Sequence, residues 1–90
     1  MKTNIYHISL LAWFTEVNMP VQGMMTVEAA DEDRAQQAAV LYAANYLEEG
    51  RPNPEMEYKI QNCTPEGSKH VDYDIPLERV DSADWFLTGL

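Results

Sequence analysis

Ninety residues, 1–90, bound this chain to a single small acidic domain, and a chain of that size buries only about 60–65% of its extendable surface, so its core is modest. Fifteen acids against six bases give a formal net charge of −9, which disfavours direct binding to nucleic acid, whose phosphates repel it, and favours basic partners. An apolar content of 46% argues against overall disorder, and the single cysteine, Cys63, excludes an internal disulfide framework and fits a reducing cytosol.

Residues 4–15 read as a first strand. One face carries Tyr6, Ile8, Leu10, Ala12 and Phe14, all apolar. The other carries Ile5, His7, Ser9, Leu11 and Trp13, a mixed set. That alternation suits a sheet with one face under a helix and the other partly wet. The apolar run resembles a signal-peptide core, but His7 and Ser9 interrupt it, only Lys2 precedes it, and no small-residue cleavage site follows. It is also too short to span a membrane. The expectation is a cytoplasmic protein. Glu16, Val17, Asn18, Met19 and Pro20 supply a turn. Residues 21–29 read as a second strand, with Val21, Gly23, Met25, Val27 and Ala29 on one face and Gln22, Met24, Thr26 and Glu28 on the other. The short link predicts an antiparallel hairpin.

Residues 31–47 predict the one long helix. The Asp31 carboxylate can accept hydrogen bonds from first-turn N–H groups, and Glu32 and Asp33 sit where the helix dipole favours negative charge. Seven of these seventeen residues are Ala or Leu, strong helix formers. Gly50, Pro52 and Pro54 end the helix. Ala35, Ala39, Val40, Tyr42, Ala43, Tyr46 and Leu47 share one arc, whose small members let the helix lie close to a sheet while the tyrosines cover its edges. Leu41 falls on the opposite arc, as a scattered surface leucine or as a contact point for a partner.

Residues 48–57 read as a loop and 58–63 as a short third strand, with Tyr58 and Ile60 facing in. Thr64, Pro65, Glu66, Gly67 and Ser68 predict a turn, and residues 69–75, with Val71, Tyr73 and Ile75 alternating, a fourth strand pairing back on the third. Ser82, Ala83, Asp84 and Trp85 resemble a helix start. Trp85, Phe86 and Leu87 must then bury or dock a partner. The expected fold is α+β: a single ββαββ-like domain, one main helix packed on an antiparallel sheet, with a short C-terminal tail or helical turn.

Little in the chain carries chemistry. His7 and His70 are far apart, and no Cys-x-x-Cys or His-x-x-x-His spacing occurs. Asp31 with Asp33 reads as a helix start. Asp72 with Asp74 supplies fewer oxygens than hard cations need. Cys63 beside a histidine reads as a buried apolar residue rather than a nucleophile. No glycine-rich phosphate loop and no basic cluster occurs. The expectation is a non-enzyme with no catalytic residues, no metal and no cofactor.

The acids remain. Ten of the fifteen follow residue 47, opposed only by Arg51, Lys59, Lys69 and Arg79. They read either as a solvated surface or as a negative face that engages a positively charged groove, for which Glu48, Glu49, Glu55, Glu57, Asp72, Asp74, Glu78 and Asp81 are the candidate partner-binding residues. Carboxylates two residues apart on a strand lie about 6.6–6.8 Å apart, in the range of successive phosphates on one nucleic-acid strand.

Over residues 4–62 the arrangement is a hairpin whose second strand ends near Thr26, Val27, Glu28 and Ala29, then an alanine-rich helix with Ala35, Gln36, Gln37, Ala38 and Ala39, then more sheet. It resembles some of the small phage-encoded anti-CRISPR proteins, and the acidity resembles others that mimic DNA. The resemblance implies a phage protein in the host cytoplasm. Its role would be to inhibit a nucleic-acid-handling complex, a CRISPR effector, by blocking the nucleic-acid site through occlusion or mimicry. That family shares no common motif, so the candidate residues rest on charge alone. The competing expectation is a generic protein-interaction module or small oligomeric subunit, using an exposed sheet face with His7, Leu11, Trp13 and Met24, since aromatic and Met residues are enriched at interfaces.

Overall fold

A computed structural model describes residues 2–14, 20–48, 56–70 and 78–87. Within them run β1 (Lys2–Phe14), β2 (Val21–Ala29), α1 (Glu32–Leu47), β3 (Met56–His70) and β4 (Arg79–Leu87). The strands form one antiparallel sheet of order β3-β1-β2-β4, and α1 lies on one side of it. The domain is α+β, with the expected ββαββ order.

Two-residue alternation decides which side chains meet the helix. Tyr6, Ile8, Leu10 and Ala12 of β1 and Met25, Val27 and Ala29 of β2 are buried on the helix side. Cross-strand pairing aligns Tyr6 with Val27, Ile8 with Met25, and Leu10 with Gly23. The outer strands extend the same rows. Tyr58, Ile60 and Cys63 of β3 pair with Ala12, Leu10 and Ile8, while Val80, Ala83 and Trp85 of β4 pair with Val27, Met25 and Gly23. The pairing skips one residue at Gln61 and at Glu66 in β3, and at Asp81 in β4.

The helix begins as its sequence dictates. Asp31 is the N-cap, its Oδ1 accepting the Arg34 N–H at 2.9 Å, with Glu32 and Asp33 in the first turn. Ala35, Ala39 and Ala43 recur every four residues, fall on one stripe, and are fully buried. With no atoms beyond Cβ, that stripe brings the helix axis close to the sheet. Tyr42 and Tyr46 flank it and stack on Trp85, the Tyr46 ring at 4.8 Å and 5° and the Tyr42 ring at 6.5 Å and 3°. Trp85 lies flat over Gly23. A Cβ at Gly23 would come within 2.7 Å of the indole ring, so the absence of a side chain there makes room for the tryptophan.

Two expectations for the C-terminal half fail. Residues 64–68 do not turn: β3 runs through them, and Lys69 and His70 continue it instead of opening a fourth strand. Pro65 and Gly67 carry turn chemistry, but β3 is an edge strand, where only one side needs ladder bonds, so a proline is tolerated. The backbone adjusts at Gly67, whose φ of +157° favours glycine. Residues 71–75, the rest of that expected strand, lie outside the described residues. Residues 82–85 are not a helical turn either. They belong to β4, which pairs with β2 at the opposite edge of the sheet. Ala83 and Trp85 point to the helix and Ser82, Asp84 and Phe86 away, a period of two that outweighs the cap-like Ser82.

Candidate interaction face

Among the described residues no element packs over the side of the sheet away from α1 along the rows from His7 to Leu11, whereas Thr3 and Glu28, farther along the same side, are buried. Register places three rows across it: Lys59, Leu11, Gln22 and Phe86; Asn62, Ser9, Met24 and Asp84; and Thr64, His7, Thr26 and Ser82. Trp13, half-buried, follows beyond Leu11 on β1. Met24 and Phe86 are about half exposed, at 51% and 49%. Leu11, Trp13, Met24 and Phe86 therefore share one end of an uncovered face, and the expected interface residues His7, Leu11, Trp13 and Met24 all lie on it.

Side-chain hydrogen bonds hold this face in order. The Gln22 amide donates to Ser9 Oγ at 3.0 Å and to Gln61 Oε1 at 3.1 Å, and the Ser9 hydroxyl donates to the same Gln61 oxygen at 3.0 Å. The extra residue at position 61 brings that oxygen over β1. His7 is held on two sides, its Nε2 by the Glu66 carboxylate and its Nδ1 by the Thr26 hydroxyl at 3.3 Å. Between these groups lies a depression of about 450 Å³, walled by Ser9, Met24, Thr26, Asn62, Ser82 and Asp84, among others.

Of the eight acids singled out from the sequence, the four described ones do not gather. Glu49, Glu55, Asp72 and Asp74 lie outside the described residues. Glu48 closes the helix C-terminus, its backbone N–H reaching the Ala44 carbonyl, and its carboxylate accepts the Tyr58 hydroxyl. Burial first, and then this carboxylate, push the Tyr58 phenol above its ordinary range. Glu57 is exposed on β3 opposite Trp13. Glu78 faces Arg34 at 3.6 Å, and Asp81 faces Arg79 at 3.1 Å. Glu48 and Glu57 thus sit at the β3 edge beside the end of α1. Glu78 and Asp81 sit by β4 near its start. These are opposite corners of the domain, and the described members form no single negative face. Glu57, paired with Trp13, and Glu66 and Asp84, both outside that set, reach the uncovered face, and Glu28 is buried at its far end.

The tail divides its roles. Trp85 packs between the tyrosines and Gly23, whereas Phe86 points the other way and stays exposed. Sequence reading missed Phe86 and Asp84 as members of the face because residues 82–85 resembled a helix start. The alternation of Ala83 and Trp85 with Ser82, Asp84 and Phe86 was the available signal.

The Cys63 thiol is pushed up chiefly by burial, which keeps it protonated and a poor nucleophile. Among the described residues no three or more His, Cys, Asp or Glu side chains cluster as metal ligands. No described helix is long and apolar enough to cross a membrane. No protein-family model, curated protein or solved structure matches the chain.

Proposed function

We propose that this protein is a small non-catalytic inhibitor that binds a nucleic-acid-handling protein complex and occludes its nucleic-acid site. The resemblance to anti-CRISPR proteins makes a CRISPR effector the target. The observation that carries the reading is the net charge of −9 on ninety residues. Such a charge speeds encounter with a basic groove and rejects free nucleic acid. Occlusion is favoured over phosphate mimicry, because Glu48, Glu57, Glu78 and Asp81 occupy opposite corners. The test is a binding assay between the protein and a purified CRISPR effector, with and without its nucleic acid. Competition between the two ligands, weakening as salt rises, supports the reading. Simultaneous binding with little salt dependence sinks it.

The uncovered face favours a second reading, a protein-interaction module or small oligomeric subunit. Trp13, Met24 and Phe86, grouped there with Leu11, are of residue types enriched in interfaces. Sedimentation at rising concentration separates the two: a self-association lost in Phe86→Ser supports the subunit reading.

A further inference from the structure

The geometry points to the depression on the uncovered face as the seat of an arginine side chain from a basic protein partner. The oxygen-bearing side chains that wall it are the Asp84 carboxylate, the Ser9, Thr26, Thr64 and Ser82 hydroxyls and the Asn62 amide, whose oxygen accepts the Thr64 hydroxyl at 3.3 Å. A guanidinium presents five N–H donors in a planar fork and matches a carboxylate flanked by hydroxyls. Met24, half exposed beside Asp84 in the same row, offers an apolar wall for the arginine stem. The one ionisable nitrogen at the rim, His7 Nε2, is already held by Glu66, which adds negative charge to the same rim.

Charge decides the occupant. A second copy of this chain brings another −9 and is repelled, whereas a basic surface is attracted over a Debye length of about 8–10 Å. Leu11, Trp13 and Phe86 at the adjoining end then give the partner an apolar contact beside the arginine seat, the arrangement of anchor and polar rim found in stable interfaces. The inference deepens the proposed inhibitor reading and rests on it only for the kind of partner.

The test uses a blocked pentapeptide alternating glycine and arginine, with citrulline and lysine counterparts, titrated into the isotope-labelled protein and followed by amide chemical shifts. Expected are changes centred on Ser9, Met24, Thr26, Ser82 and Asp84 with the arginine peptide, and none with citrulline. Asp84→Asn is expected to weaken the arginine peptide about fivefold, the range of a partly exposed ion pair, while Asp33→Asn, the same charge change on the helix, does so by less than about twofold. Shift changes spread over α1, an equal loss in both variants, or equal binding of the lysine peptide would overturn the assignment. If the peptide seats at Asp84 but no nucleic-acid-handling complex is bound, the inhibitor reading falls and the arginine seat stands. If the complex is inhibited equally by wild type and Asp84→Asn and the peptide does not seat, the reverse holds.

Discussion

The two sides of the sheet are built from alternate residues of the same four strands, and their side chains do different work. On the covered side, large groups such as Tyr6, Ile8 and Leu10 meet a helix reduced to alanine at its contact stripe, and burial approaches completeness. On the uncovered side, polar groups bridge the strands through Ser9, Gln22 and Gln61, and apolar groups stand half in water. Hydrophobic stabilisation follows area removed from water. The covered side therefore supplies most of the hydrophobic stabilisation of the fold. Substitutions across the sheet should show that asymmetry.

The largest effect is expected at Leu10, fully buried at the centre of the covered side. Leu10→Ala should cost about 2–5 kcal/mol in urea unfolding, the range for a leucine cavity. Ala39→Trp overpacks the helix–sheet contact and should cost about 1–3 kcal/mol or more; an unchanged melting temperature would place Ala39 on the outside. Gly23→Ala forces the indole of Trp85 to shift, with a loss of about 1–2 kcal/mol and a change in tryptophan fluorescence as the Tyr46 stack opens.

A smaller, pH-dependent effect belongs to the tether between strand and helix. Tyr58 and Cys63 both have pKa values raised by folding, from ordinary values of 10.0 and 9.0. Raised values mean that the folded state holds these protons more tightly. Their stabilisation is complete below the unfolded pKa values and is lost as pH climbs past them. Thermal stability should therefore fall from about pH 9 upward, and Tyr58→Phe should flatten that fall while costing about 1–2 kcal/mol at neutral pH through the lost bond to Glu48. The smallest effect is expected on the uncovered side. Met24→Ser and Phe86→Ser should each change stability by no more than about 0.5 kcal/mol. A loss comparable to that of Leu10→Ala would end the division between the two sides.

The first half of the chain was legible because each of its signals is local. The β1 alternation, the uninterrupted 21–29 strand and the Asp31 cap need no information from elsewhere. The second half was less so. Pro65 and Gly67 mean a turn in most settings, and only the position of β3 at an edge lets a strand absorb them. Ser82 and Asp84 imitate a helix start until β2 supplies a pairing partner. The candidate site suffered most, since charge is visible in a sequence but its placement depends on strand order. A β3–β4 hairpin would have gathered the late acids together. The order β3-β1-β2-β4 instead puts these strands at opposite edges and carries Glu57 and Asp81 apart.

The skipped residues in the pairing have a consequence for how copies of this protein meet at high concentration. Among the described residues, β3 has fifteen residues and only β1 beside it, so its outer rim is a long potential template for a further strand. Regular, straight rims of that kind seed aggregation. Here the rim is kinked at Gln61 and again at Glu66, where Pro65 removes an N–H and Gly67 bends the backbone, and the β4 rim is broken at Asp81. Among the described residues neither rim offers an unbroken row of amides and carbonyls to an incoming chain. Such breaks blunt both edges of the sheet against pairing with a further strand.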